Sequence, residues 1–255
     1  MRTICVINHK GGVGKTTTAV NLAAGLSRRD KNILLIDLDP QNNVGVSLKV
    51  QAEYSAYDAL IGKVPLDKCI INLAKNLDVV TSRENLTKAE FYLSTQPNAR
   101  MLLKTMLQNI KGYDYVIIDC PPSLGILNQN VMAFCQEAII PVSTDYLGMD
   151  ALHKMKRVVE EINRTFSHNL KISKVVPTLY DKRSKIAQES LQEMHKFFPG
   201  IVAQPIRSNS KLKEAPKYGK SIFSFARSSP GAEDYQKLVL EVAEMGQKIV
   251  EEAVC

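Results

Sequence analysis

The segment Asn8-His9-Lys10-Gly11-Gly12-Val13-Gly14-Lys15-Thr16-Thr17 leaves this chain few folds to choose from. It follows a short apolar run, residues 4–7, and opens a helical pattern, residues 16–28, so the glycines must turn a buried strand directly into a helix. Glycines at such a turn keep the backbone clear of side chains. Successive N–H groups can then face inward on an anion, helped by the positive end of the helix. Lys15 adds a point charge suited to β- and γ-phosphates, and Thr16 a hydroxyl suited to Mg2+. Residues 11–17 therefore read as a phosphate-binding loop for a nucleoside triphosphate.

The rest of the chain supplies the scaffold such a loop needs. Apolar runs rich in Ile, Val and Leu recur at residues 33–36, 77–80, 115–118, 138–142 and 172–176, with helical patterns at residues 99–109, 150–166 and 184–197. Strands that are apolar throughout and alternate with helices predict an α/β fold, a mostly parallel twisted sheet with helices on both faces. Ligands of such sheets bind at the carboxyl ends of the strands, where residues 8–17 stand. A chain of 255 residues can bury one full core, and no repeat or Pro/Gly/Ser-rich linker divides it, so one domain over residues 1–255 is expected. Five scattered cysteines (Cys5, Cys69, Cys120, Cys135, Cys255), never spaced Cys-x-x-Cys, argue against a disulfide framework and a zinc site. No apolar run approaches the roughly 18 to 20 residues of a membrane span, and residues 1–8 make too short an apolar stretch for a secretory signal, which predicts a cytoplasmic protein.

The net charge is +7, unevenly spread. Residues 153–227 carry 16 Lys and Arg against 6 Asp and Glu, a surplus of +10 that leaves −3 for the remainder. Such a run is either a solvated face or a surface for a polyanion.

Lys10 precedes the glycines, where a phosphate loop needs no cation. Together with Gly-Gly-Val-Gly-Lys-Thr-Thr it resembles the deviant Walker A motif of the ParA/MinD ATPases. Three further stretches resemble ParA/Soj chromosome- and plasmid-partitioning proteins: Ile36-Asp37-Leu38-Asp39-Pro40-Gln41, Ile117-Ile118-Asp119-Cys120-Pro121-Pro122-Ser123-Leu124-Gly125, and Lys211-Leu212-Lys213-Glu214-Ala215-Pro216 followed by Gly219-Lys220. The resemblance runs from the first residues to about residue 244. It implies a Mg2+-dependent ATPase whose two ATP-bound subunits face each other, Lys10 reaching the partner's phosphates to neutralise developing charge in trans while Lys15 acts within its own subunit. By the same resemblance Asp39 orients the attacking water and Asp37 supports the Mg2+ shell. Asp119, after four apolar strand residues, reaches Mg2+ through water. Pro121 and Pro122, unable to continue a strand, mark a switch segment.

No Asn-Lys-x-Asp occurs, so ATP is expected rather than GTP. Base contacts are expected around Pro177 and from Pro205 through Arg207 to Asn209. Here the chain departs from the family, which reads Pro-Arg-Asn where this chain has Arg207-Ser208-Asn209, and often has arginine where Lys211 stands. Asn42 likewise replaces the usual glycine before Asn43, a changed hinge that would alter the hydrolysis rate without altering the chemistry. Beside the loop, His9 is assigned no role.

Three function classes follow. In an ATP-switched partition protein, Lys182, Arg183, Lys185, Lys211 and Lys213 supply a site for non-specific DNA. A MinD-like membrane-cycling or protein-cluster-positioning ATPase is the alternative; its membrane form needs a basic amphipathic helix at the carboxyl end, whereas residues 241–255 are acidic. A reductase related to the nitrogenase iron protein would need cluster-binding cysteines, for which only Cys120 and Cys135 are candidates. The chain begins directly at its first strand, without room for an amino-terminal helix-turn-helix domain, so sequence-specific repression is not expected. A ParB-type centromere-binding partner and association with the nucleoid are implied by the resemblance alone.

Overall fold

Residues that are apolar without alternation cannot sit on a one-sided sheet, and each of the six runs forms a strand buried on both faces or nearly so. A computed structural model describes residues 1–96 and 101–254. In chain order the elements are β1 (Arg2–Val6), α1 (Lys15–Ser27), β2 (Ile33–Asp37), α2 (Asn43–Leu48), α3 (Ala56–Leu60), β3 (Ile71–Ala74), β4 (Leu77–Val80), α4 (Leu86–Ser94), α5 (Leu102–Leu107), β5 (Tyr115–Asp119), α6 (Ile126–Phe134), β6 (Glu137–Ser143), α7 (Tyr146–Phe166), β7 (Lys171–Thr178), α8 (Lys185–Phe197), α9 (Ser210–Glu214), α10 (Ile222–Phe225) and α11 (Pro230–Val254).

The strands make one seven-stranded sheet in the order β3-β4-β2-β5-β1-β6-β7, parallel except for β3. The period of two along each strand divides the core. Cys5 and Ile7 point to one face with Ile36, Ile118 and Ile140; Ile4 and Val6 point to the other with Leu35, Ile117 and Ile139. On the second face lies α1, buried on nearly all sides, with α11 packed beside it. Arg2 ties these layers together: its guanidinium donates to both oxygens of Glu137 (2.7 Å each) and to the carbonyl of Val242 in α11 (2.6 Å). Tyr235 of α11 meets the hydroxyl of Thr18 in α1 at 3.1 Å.

Two elements differ from the sequence reading. The edge strand β3 was not anticipated: Ile71-Asn72-Leu73-Ala74 is short, half exposed and paired antiparallel to β4, so it lacks the continuous apolar character of the inner strands. Helix α7 begins four residues before the expected start because the Asp145 carboxylate caps it, accepting from the N–H of Gly148 at 2.7 Å. Of the helical pattern at residues 99–109, Leu102–Leu107 is helix, and residues 99 and 100 lie outside the described ones. Cys5, Cys69, Cys120 and Cys135 are buried free thiols, while Cys255 is not among the described residues. Among those described, no helix is long and apolar enough to cross a membrane.

Candidate nucleotide-binding site

β1 lies between β5 and β6, where the strand order reverses, and its carboxyl end opens into the glycine loop. Asn8 anchors that loop from beneath, its amide donating to the carbonyl of Pro141 (2.8 Å) and its Oδ1 accepting from the N–H of Lys10 (3.0 Å). Gly12 and Gly14 take φ of 73° and 86°, left-handed angles that cost other residues roughly 1–2 kcal/mol each. Gly14 caps α1 without any side-chain hydrogen bond, so the first N–H groups of a 13-residue helix face the loop unscreened. That is the geometry of an anion site.

The charged groups converge on it from three strand ends. Buried Lys15 closes the loop, its Nζ donating to the carbonyl of Lys10 at 3.1 Å. Burial pushes its ammonium pKa down, against the opposing pull of Asp119 and Asp39. Thr16 Oγ1 donates to Asp119 Oδ2 at 2.6 Å. Asp119 ends β5 and pairs in register with Asp37 at the end of β2. Burial, and then the charge of Asp119, push the Asp37 carboxyl well above the usual range. Burial is also the main cause of the rise of Asp119 to about 7, which the hydrogen bond from Thr16 and the charge of Lys15 only partly oppose.

Desolvated carboxyls at adjoining strand ends, Asp37 raised further by the charge of Asp119 and Asp119 by that of Asp39, are the electrostatics of a cation site. Asp119 Oδ1 is buried and has no hydrogen-bond partner, a lone pair that a cation would satisfy. A hydroxyl with carboxylate oxygens suits a hard ion such as Mg2+, and Thr16 and Asp119 would hold it. Among the described residues no group of three or more His, Cys, Asp or Glu forms a metal cluster. Mg2+ needs no such cage, since it is commonly held by one or two protein groups together with water and phosphate oxygens. Asp37 is differently engaged: its two oxygens accept the N–H groups of Asp39 (2.9 Å) and Val44 (3.0 Å), which pins the segment after β2. Asp39, also buried, accepts from the N–H of Gln41 (3.0 Å).

Lys10 points away from the loop that carries it. Its Nζ donates to Asp145 Oδ1 (2.8 Å), Asp145 Oδ2 (3.1 Å) and Ser143 Oγ (2.9 Å) at the start of α7. Burial alone would raise the Asp145 carboxyl, but Lys10, Ser143 and the Gly148 N–H hold it below its ordinary value. This tether was not legible in the sequence, although Asp145 before a helical pattern is a cap signal. Around it Tyr146 (82% exposed) and Leu147 (64%) expose apolar surface.

A cavity of about 250 Å³ opens beside the loop, walled by Gly12, Gly14 and Thr17 on one side and by Leu179, Leu212 and Tyr235 on the other. Arg207, Asn209 and Lys213 also line it; Pro205 and Pro177 do not. Arg207 is turned toward α11, binding Asp234 (2.6 Å) and Glu233 (2.8 Å). Val13 does not line the cavity, but its carbonyl accepts from Oγ1 of Thr178, which does, at 2.9 Å. The walls formed by Leu179 and Tyr235 went unread in the sequence, because neither carries a motif.

The polyanion candidates fall on two neighbouring segments, Lys182 and Arg183 in the loop after β7 with Lys185 opening α8, and Lys211 and Lys213 in α9. Tyr180 and Arg207 are bridged by backbone hydrogen bonds, which set residues 179–184 beside residues 206–209. Arg183 is paired with Asp181 (2.9 Å), Lys185 with Glu189 (3.7 Å) and Lys211 with Glu214 (2.8 Å). Lys182 is exposed, and Lys213 stands between this surface and the cavity.

A sequence-family profile described as an AAA domain matches residues 1–172. The chain is 35% identical over 247 residues to a chromosome partitioning protein ParA of Myxococcus xanthus, covering 94% of this chain and 87% of that protein. It is 36% identical over 251 residues to a chromosome-partitioning ATPase Soj of Treponema pallidum, covering 97% and 99%. Among solved structures, cobyrinic acid a,c-diamide synthase of Mycobacterium smegmatis, with a bound ATP analog and magnesium, superposes with a TM-score of 0.81 at 27% identity over 94% of this chain and 93% of that one.

Proposed function

As the chain belongs to the ParA/Soj family of chromosome-partitioning proteins, we propose that it is an ATP-driven switch: a Mg2+-dependent ATPase that dimerises around ATP, binds DNA without sequence preference in that form, and partitions a chromosome or plasmid with a ParB-type partner that stimulates hydrolysis. One observation carries the reading. The loop holds Lys15 inward, while the second lysine, Lys10, stands outside on a surface ringed by exposed Tyr146 and Leu147, where a second copy can reach it.

The chemistry follows from placement. The N–H groups of residues 11–17 and the Lys15 ammonium bind and orient the triphosphate; Thr16 and Asp119 hold Mg2+, which supplies charge neutralisation when bound. Asp39 accepts a hydrogen bond from the attacking water. Lys10, once released from Asp145, neutralises charge on the partner's phosphates, so dimerisation and turnover are one event. Leu179, Leu212 and Tyr235 exclude water from the base, with Arg207 and Asn209 at its edge. Thermodynamically, a closed dimer doubles the number of phosphates that Lys182, Arg183, Lys185, Lys211 and Lys213 can neutralise, which raises affinity and salt dependence together. Such contacts carry no sequence information. The protein in this reading is cytoplasmic and, when ATP-bound, nucleoid-associated.

The test is the stalled form. Asp39→Ala removes a group that acts on the water and leaves nucleotide binding alone, so with ATP and Mg2+ it should persist as a dimer and bind a random duplex far more tightly than the ADP form does. Equal affinity in the two states refutes the switch.

A further inference from the structure

The basic surface extends beyond the charged segment of the sequence. The turn Ala215–Tyr218 and the following Gly219 pack against α2, the short helix that comes after Asp39. The contact is close: a Cβ built on Gly219 would lie 3.0 Å from Lys49 Cγ and 3.1 Å from Lys49 Cβ and Cδ, so the methylene stem of Lys49 lies along the Gly219 backbone. Both residues are left-handed, Lys49 with φ of 52° and Gly219 with φ of 67°. A lysine keeps that conformation only where its surroundings hold it.

Lys49 is exposed and, among the described residues, its ammonium has no ion pair, as is true of Lys217 and Lys220 on either side of Gly219; the Lys217 ammonium lies 6.0 Å over the Tyr218 ring. Tyr218 stacks on Phe225 at 4.9 Å, and Lys211 Nζ sits 5.9 Å over the same ring. Two lysines thus flank one aromatic pair, Lys211 over Phe225 and Lys217 over Tyr218, with Lys49 and Lys220 at the adjoining Gly219 and Glu214, bound to Lys211, as the acidic member.

The other end of α2 is fixed to the buried Asp37 carboxylate at the end of β2. Val44 N–H donates to Asp37 Oδ2, and Asp39 N–H to Asp37 Oδ1. Between the ends, Val44 and Leu48 are buried in one cluster with Ile222 and Phe223, against which Leu212 packs. Well-packed side chains transmit a displacement instead of absorbing it, so this helix is a strut between the segment bearing Asp39 and the basic turn.

We propose that Lys49 is a phosphate-contacting residue of the DNA surface formed with Lys211, Lys217 and Lys220, and that the seat of its stem on Gly219 couples that surface to the nucleotide-sensing segment. The inference rests on the DNA-switch reading above. DNA is favoured because exposed lysines without ion pairs, Lys49, Lys217 and Lys220, on one surface meet a repeating phosphate backbone at several points, whatever its base sequence.

The experiment measures affinity for one random duplex against salt, in the ATP and ADP states, with Asp39→Ala holding the former. Lys49→Met keeps the stem on Gly219 and loses the charge; each lost phosphate contact lowers the log–log salt slope by about 0.9, so two copies lower it by about 1.8. Lys49→Ala loses charge and stem, and should cut the ratio of ATP-state to ADP-state affinity at least threefold below that of Lys49→Met, with ATP-driven dimerisation intact. Gly219→Ala, which keeps every charge but sets a methyl where the stem lies, should lower the same ratio. A parental slope in Lys49→Met overturns the surface assignment. Equal ratios in Lys49→Ala and Lys49→Met overturn the coupling. If the parent shows no ATP dependence, the DNA-switch reading itself falls; if the parent shows it and the Lys49 variants match the parent, this inference alone falls.

Discussion

Releasing Lys10 from its own subunit should tighten the dimer. Asp145→Asn keeps an oxygen for the Gly148 N–H and so preserves the cap of α7, while it removes the charge that binds Lys10. The Lys10 side chain is 25% exposed and that of Asp145 48%. Solvent screening at that exposure limits the ion pair to about 1 kcal/mol. Two such pairs break when two subunits close, a cost of about 2 kcal/mol, or roughly thirtyfold in a dissociation constant. Sedimentation of Asp39→Ala with ATP and Mg2+, with and without Asp145→Asn, should show the dimer dissociation constant fall by about ten- to thirtyfold, less at high salt. Asp145→Ala is the control for the cap: losing the Gly148 contact costs about 1 kcal/mol and should lower Tm by roughly 2–4 °C. Dimerisation that is unchanged or weakened in Asp145→Asn would refute the idea that the tether competes with the trans contact.

The other predictions concern the site itself. Lys15→Ala should abolish measurable ATP binding, since charge-assisted hydrogen bonds contribute about 1.5–3 kcal/mol each; titration calorimetry and circular dichroism together check that binding is lost while the fold persists. Protein without nucleotide or Mg2+ should lose stability as pH rises. The Asp119 carboxyl holds its proton up to about pH 7 when folded, against an ordinary value of 3.8. The folded chain therefore binds more protons than the unfolded chain between those values, and the stabilisation present below about 3.8 is gone above about 7. Denaturant midpoints measured across that window should fall with pH in the parent and fall less in Asp119→Asn; parallel profiles would count against the buried-carboxylate assignment.

How much of this could be read from the sequence depended on how local the cause was. The phosphate loop was legible because its glycines, Lys15 and Thr16 act within ten residues, and the inner strands because burial on both faces leaves an unbroken apolar run. By contrast β3, with Asn72 in its middle and one face in solvent, carries too little pattern to stand out. The partners of Lys10 lie 133 and 135 residues away, so only the sheet, which sets β6 beside β1, brings them into reach. Leu179 and Tyr235 became cavity walls for a similar reason. Their identity is unremarkable, and their role comes from where β7 ends and how α11 crosses α1. The basic segment was visible as a charge surplus, yet which lysines are already paired, such as Lys211 with Glu214, is a matter of side-chain placement that composition does not contain.

The position of β1 has a consequence for how the protein is made. It is made before the other strands, yet its two neighbours in the sheet are β5 and β6, so the strand that bears the phosphate loop waits more than 100 residues for its first lateral hydrogen-bonding partner and longer for its second. The cavity is completed later still, when Leu212 and then Tyr235 emerge and Arg2 can bind the carbonyl of Val242. Contacts of such long sequence separation form slowly. A product truncated before α11 has every strand of the sheet but lacks Tyr235, Leu238, Val239 and Val242, so it leaves the cavity open and the apolar cluster around α1 uncovered, a substrate for chaperones and proteases.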